Sequence, residues 1–294
     1  MKKALIYAIG AVIMWGTMAT MSKLLQGSMD SLTVLFYTCF FATVILFIYN
    51  GAKGRLRALK NLPVKVIIRM AAIGSLGVFF YNLLFYLGSA RMPAQQAMVV
   101  NDLWPALIIV FSCFILGERM TFAKAVAVIL SFIGIIVVVT NGNFRDFHFE
   151  SMAGIIFCLM DAVCYALYSV LGKRETYDKG LAVLVAYASG TVFALIGSLV
   201  FGDFSLPEGK QFIGLIYNGI FCNALPYLLW AFALDNGNTA VIANLAYLAP
   251  FVSLIVTHFV LGEEITVWSV LGLVLIVSGI LLQLKNGASA SEKA

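Results

Sequence analysis

Charge is what this sequence lacks most: Asp, Glu, Lys and Arg together supply 11% of its 294 residues, against about 25% in a soluble domain. With 62% of residues hydrophobic and a mean hydropathy of +0.99, the chain has too little polar surface to cover a water-exposed globule. A soluble enzyme, a nucleic-acid binder and a disordered protein are excluded, and an integral membrane protein is implied. Histidine is almost missing, with two in the chain, and no cluster of His and Cys could hold a metal; HExxH and GxSxG are absent as well. An intramembrane enzyme is therefore not expected, nor a cofactor. The five cysteines (Cys39, Cys113, Cys158, Cys164, Cys222) all sit in apolar runs without CxxC spacing, which reads as small buried hydrophobes rather than disulfides or zinc ligands. No loop resembles the repeated polar filter of a channel.

What is present is a succession of apolar runs. Ten fit a bilayer-spanning helix of about 20 residues: about 4–25, 32–50, 65–89, 93–117, 122–140, 151–173, 180–202, 210–235, 239–262 and 266–284. The Lys-Lys start of the first could mimic a signal peptide, but its length and direct continuation into a second span read as an uncleaved helix. After Lys285 the chain becomes small and polar, an expected loose tail over 285–294. With the N-terminus inside, fourteen Lys and Arg fall on the cytoplasmic side and only Arg91, Arg145 and Lys210 outside. That bias places both termini in the cytoplasm and the chain in the cytoplasmic (inner) membrane.

Self-comparison divides the chain. Pro105, Leu116-Gly117-Glu118, Thr121 and Gly134-Ile135 match Pro250, Leu261-Gly262-Glu263, Thr266 and Gly279-Ile280 at one ungapped offset of 145 residues. Gly74 matches Gly219 at the same offset, while Trp15 and Lys23 fall opposite Tyr165 and Lys173 at 150. Two five-helix units, 4–140 and 151–284, are implied. Five is odd, so the second unit must enter the membrane from the other side. The charges agree: Arg119 and Lys124 mark the first Leu-Gly-Glu loop as inside, and its counterpart has no Lys or Arg. Inverted repeats of this kind are a recurring plan for secondary transporters, with the substrate site near the midplane.

These features resemble the drug/metabolite transporter (DMT) superfamily, specifically its EamA branch. The resemblance covers residues 4–284 and rests on the duplicated five-helix unit, the two Leu-Gly-Glu signatures and the pair Trp15-Gly16. Asn101-Asp102-Leu103-Trp104-Pro105 is similar to the Asn-Tyr-Leu-Trp-Pro stretch of the aromatic amino acid exporter group, with Asp102 standing where that group has Tyr. The resemblance implies an all-α membrane fold of ten helices in two inverted repeats. It also implies alternating access around a central cavity lined by helices 1, 3, 4, 6, 8 and 9, with 5 and 10 peripheral.

The residues themselves narrow the chemistry. Asp102 and Asp161 lie nine and ten residues into their spans, about 14–15 Å along the axis and so near mid-bilayer. Ionisable groups at that depth are expensive and mark function by default; the two acids are candidates for proton coupling or for pairing with a substrate amine. Asn101, Trp104, Tyr165 and Tyr168 accompany them. Trp15 on helix 1, Tyr81, Asn82 and Tyr86 on helix 3, Asn223, Tyr227 and Trp230 on helix 8, and Asn244 and Tyr247 on helix 9 are the further candidates for the binding surface. Pro105, Pro226, Pro250 and His258 are candidates for hinges or gates. The stripe of Met14, Met18 and Met21 reads as adaptable packing or a greasy cavity wall, and Ala123, Ala127 and Ser131 as a close helix contact.

No Lys or Arg reaches mid-bilayer, because Lys23, Arg69 and Lys173 can all snorkel to an interface. Phosphorylated solutes, which call for such bases, are disfavoured. Acids beside aromatics suit a cation or zwitterion. The expectation is a secondary-active exporter of amino acids or related small metabolites. Its partners are a small-molecule substrate and the bilayer, with proton coupling open. Efflux of organic cations or drugs, and metabolite uptake, are the alternatives.

Overall fold

A computed structural model describes residues 2–142, 152–236, 245 and 248–291. Eight helices are long and apolar enough to cross a bilayer: α1 (Lys2–Gln26), α2 (Ser31–Ala52), α3 (Val64–Ser89), α4 (Ala94–Ile115), α5 (Phe122–Thr140), α6 (Met152–Lys173), α7 (Lys179–Phe201) and α8 (Lys210–Trp230). Two more follow, α9 (Ala249–Leu261) and α10 (Val267–Ser291). No strand occurs among the described residues. The chain is an all-α, ten-helix, multi-pass membrane protein. One expectation is corrected: the helix of α10 continues through the small polar residues after Lys285 as far as Ser291. Nothing there breaks it, since Ala288 and Ala290 favour a helix and no proline intervenes.

Short loops are possible because the helix ends are capped locally. Asp30 accepts the Leu32 and Thr33 amides at 2.9 and 3.2 Å to start α2, and Asp178 accepts the Leu181 amide at 2.9 Å to start α7. The two Leu-Gly-Glu turns share one geometry. Gly117 and Gly262 both sit at φ +71°, a left-handed conformation that glycine adopts without steric cost. Thr121 and Thr266 then cap the next helix by accepting the amides of Lys124 (3.3 Å) and Ser269 (3.1 Å). The repeated motif is thus a stop followed by a start.

The helix pairings exchange the two halves. α1 packs on α8 as α6 packs on α3, and α4 on α6 as α9 on α1; α2 meets α7 and α5 meets α10. The last pair shows the relation atom by atom. A Cβ on Gly134 would fall 2.6 Å from the Gly272 carbonyl oxygen, and one on Gly279 would fall 2.9 Å from that of Ala127. Each residue in the first contact lies 145 positions from one in the second. Close approach through small residues is how membrane helices gain contact without a hydrophobic driving force. Exposed Phe114, Phe122, Phe193, Phe201 and Phe259 face outward, as lipid-facing surface requires.

Among the described residues, four helices depart from regular α geometry. α1 breaks at Thr17, whose hydroxyl donates to the Met14 carbonyl at 2.8 Å. α4 breaks at Asp102–Leu103. α3 and α8 widen into π-helix over Leu76–Phe80 and Asn218–Ala224, stretches that overlap at the 145-residue offset. The helix of α9 begins at Ala249, capped by Leu248.

Candidate functional site

All four departures border one cavity, which the start of α9 also reaches. Its volume is about 180 Å³, and its lining among the described residues runs from Trp15 and Met18 through Tyr81, Asn82, Met98 and Asn101 to Ala249 on α9. Backbone outside an α-helix is tolerated at membrane depth only where it is buried in protein or lines a cavity, and π-segments recur at functional sites. Proline explains one of the departures. Pro105 occupies the first turn of the helix that restarts after the break in α4, Trp104–Ile115, and Pro250 the first turn of α9, Ala249–Leu261. A proline there lacks the amide that the break leaves unpaired anyway. Pro226 lies two residues beyond the π-segment of α8. None of the three prolines lines the cavity.

Aromatic rings form two clusters along the cavity, which meet where the Tyr165 and Tyr227 side chains hydrogen-bond. In one, Trp15 of α1 lies 5.3 Å from Trp230 and 6.0 Å from Tyr227, both of α8. In the other, Tyr165 of α6 lies 4.9 Å from Tyr81 of α3 and 5.2 Å from Trp104 of α4. Trp15 and Tyr165 are the pair matched at an offset of 150, so each half contributes one ring to one cluster and two to the other.

Polar groups gather at the break in α4. Asp102 lines the cavity, and its Oδ2 is buried without a hydrogen-bond partner. Asn101 also reaches the cavity, accepts from the Tyr81 hydroxyl at 3.4 Å and donates to Asp161 Oδ1 at 2.9 Å. Asp161 is fully buried and does not line the cavity. The two mid-membrane acids therefore have different positions: Asp102 at the surface a solute would touch, Asp161 behind it, connected through Asn101.

The other sequence-selected residues divide similarly. Asn223 lines the cavity together with Tyr227 and Trp230. Tyr168 stands behind Tyr165, ring centres 5.8 Å apart, against the glycine surface of Gly77, where a Cβ would fall 2.3 Å from its ring. Tyr86 is fully buried and its hydroxyl accepts from Asn218 Nδ2 at 2.9 Å, away from the cavity. His258 lies at the exposed end of α9, with Nδ1 2.8 Å from the Glu263 carbonyl oxygen. Asn244 and Tyr247 lie outside the described residues.

Sequence reasoning did not select Met98, Cys222 and Ala249, which also line the cavity, and it weighed Met18 as packing or wall. It also missed the scaffold behind α8. Asn218 Nδ2 donates to Thr38 Oγ1 at 3.0 Å, Asn223 Nδ2 to the Asn218 carbonyl at 2.9 Å, and the Tyr187 hydroxyl to Asn223 Oδ1 at 3.1 Å. These bonds hold the π-segment in shape. A polar residue in the middle of α2 or α7 was the only available signal.

Comparison with known proteins agrees with this architecture. The model of the EamA-like transporter family matches twice in tandem, over residues 2–140 and 152–284. An uncharacterized transporter of Archaeoglobus fulgidus is 26% identical, over 97% of this chain and all of its own length. An aromatic amino acid exporter of Ancylobacter novellus is 24% identical over 83% of each chain. A probable terminal-alkyne amino-acid exporter of Streptantibioticus cattleyicolor is 27% identical over 82% of this chain and 80% of its own. A solved crystal structure superposes with a TM-score of 0.68 at 20% identity, covering 100% of this chain and 99% of that one, which supports the fold. The tandem match spans nearly the whole chain, and the protein belongs to the EamA-like transporter family.

Proposed function

We propose that this transporter is a secondary-active exporter of small organic metabolites carrying a protonated amine, amino acids among them, working by alternating access. The carrying observation is Asp102, an acid with an unpartnered oxygen in the wall of an aromatic cavity near mid-membrane. No Lys, Arg or His joins it among the described lining residues. A carboxylate and aromatic faces attract a cation by charge pairing and cation–π contact. The relatives named as amino acid exporters support the direction and the solute class.

Cavity size points the same way. At about 180 Å³ the space is smaller than the roughly 300–1,000 Å³ pockets that take drug-sized ligands, which favours a metabolite over a bulky drug. The domain reading follows the repeat: residues 4–140 and 151–284 form two inverted units, with the short C-terminal tail and the N-terminus on the cytoplasmic side of the inner membrane. The exchange of helix partners and the two like turns after α4 and α9 support it. Alternation would consist of the two halves rocking about the broken helices. Asp102 and Asp161 are the coupling candidates if the flux is proton-driven.

Thermal-shift measurement on the detergent-purified chain, against amino acids, amines and phosphorylated metabolites, tests this. A ligand that binds only the folded state raises the melting temperature. Stabilisation by an amine-bearing compound, lost in Asp102→Asn, is expected. Stabilisation by phosphorylated or strongly anionic compounds alone would overturn the reading.

A further inference from the structure

The cavity contains three asparagines, and all three turn their amide NH2 groups into the wall. Asn82 Nδ2 donates to the Val78 carbonyl at 2.8 Å, Asn223 Nδ2 to the Asn218 carbonyl at 2.9 Å, and Asn101 Nδ2 to Asp161 Oδ1 at 2.9 Å. Backbone carbonyls only accept, so for Asn82 and Asn223 the opposite amide orientation would set oxygen against oxygen. Val78 lies within the π-segment of α3 and Asn218 opens that of α8. The widened turns supply the carbonyls that hold these amides.

The lining atoms left wholly without a partner are of one kind. Asp102 Oδ2 and Asn82 Oδ1 are the buried side-chain atoms of the described lining that have no hydrogen-bond partner, and both are acceptors. Asn82 is only 2% exposed, so its oxygen has no bulk solvent to turn to. A buried acceptor without a donor is costly, and the cost is removed by whatever brings N–H groups to it. The donors left in the described lining are indole and phenol groups, the Cys222 thiol and the second amide hydrogens of the asparagines, all of them neutral. A free carboxylate, which only accepts, would meet a second carboxylate and no cation.

From this arrangement we infer that the site selects monocationic primary amines, and carboxyl-capped amino acids, over the free zwitterionic amino acids of the same side chain. The inference rests on the exporter reading above and sharpens its substrate class. A primary ammonium has three N–H donors on one atom: one for Asp102 Oδ2, one for Asn82 Oδ1, and one for the Asn101 oxygen, whose bond to Tyr81 is long at 3.4 Å. The aromatic walls take the remainder of the molecule. Asn82 is then a specificity-determining residue, supplying a neutral acceptor that leaves total charge unchanged.

The test is calorimetric titration of the full-length purified chain with three probes of one side chain: phenethylamine, phenylalaninamide and phenylalanine. The amine and the amide are expected to bind at least about tenfold more tightly than the free amino acid, and Asp102→Asn to abolish the difference. The variant that removes the Asn82 acceptor reads its contribution to amine binding. Asn82→Leu should weaken it about tenfold while the melting temperature reports whether the fold survives. Phenylalanine binding as well as the amine, through Asp102, would overturn this inference and leave the exporter of amine-bearing solutes standing. Failure of all three probes to bind, with Asp102→Asn indistinguishable from the parent, would overturn both.

Discussion

The same Leu-Gly-Glu-x-x-Thr turn follows α4 and α9, yet its glutamate does different work at the two. After α9, Glu263 accepts the amides of Ala94 and Gln95 at 2.7 and 3.0 Å, covering the first turn of α4. Beside it half-buried Lys23, within electrostatic reach of Glu263, donates to the carbonyls of Ser89 and Met92 at 2.5 and 2.8 Å, at the end of α3. A carboxylate thus meets a helix start and an ammonium a helix end, each matching the backbone groups left over there. After α4, Glu118 instead binds Lys124 at 2.9 Å and Lys173 at 3.0 Å, with the Lys173 side chain 66% exposed. Lys23 and Lys173 occupy matching places in the two halves, as do Glu263 and Glu118. A duplicated motif therefore conserves its backbone turn more faithfully than the partners of its charge.

That contrast can be broken most severely where the halves behave alike. Gly134 and Gly279 make equivalent contacts in the α5–α10 interface. Gly134→Leu and Gly279→Leu should each destabilise by about 3 kcal/mol, the upper part of the range for overpacking against backbone. Thermal unfolding followed by tryptophan fluorescence checks this; a large effect at one glycine and none at the other would deny the pseudo-two-fold relation.

At the two turns the halves should diverge. Glu263→Ala uncaps α4 and is expected to cost about 2 kcal/mol, the scale of hydrogen bonds to a charged group. Glu118→Ala removes exposed ion pairs and should cost under about 1 kcal/mol. Lys23→Met and Lys173→Met should follow the same order, about 1–2 kcal/mol against about 0.5. Equal losses within either pair, measured in the same unfolding assay, would mean that the buried caps contribute no more than a surface pair.

Much of this was legible in the chain. A bilayer demands about 20 apolar residues per helix, so the ten spans appear as ten runs; the turns appear because left-handed glycine and a capping threonine leave residue-specific marks. Asp102, Asn101 and the aromatics stood out because polar groups at mid-membrane depth are costly. Met98, Cys222 and Ala249 did not, since an apolar residue facing a cavity looks like one facing a packed neighbour. Tyr86 misled for a geometric reason. It sits one turn, about 6 Å, beyond Asn82 on the same helix face, where Asn218 of α8 replaces the cavity. The roles of Lys23 and Glu263 depend on which helix ends meet in space, and no local pattern encodes that. The π-segment of α3 contains no proline to announce it.

The finest distinction between the ends lies in their response to pH and salt. Hydrogen bonds from Lys124, and then from Lys173, hold the Glu118 carboxyl below the ordinary glutamate range. A group whose acidity is raised by folding stabilises the folded state when ionised. Its contribution is therefore complete above the unfolded value of about 4.3 and fades as pH falls through the lower folded one. The melting-temperature gap between the parent and Glu118→Gln should be small at neutral pH and close further below about pH 4. Added salt should also narrow it, because Lys173 and Glu118 are open to solvent. The corresponding gap for Glu263→Gln should resist salt, since its partners are backbone amides at a helix start. Equal sensitivity to salt at both turns would place Glu263 among ordinary surface charges and remove the distinction between a capped end and an ion-paired one.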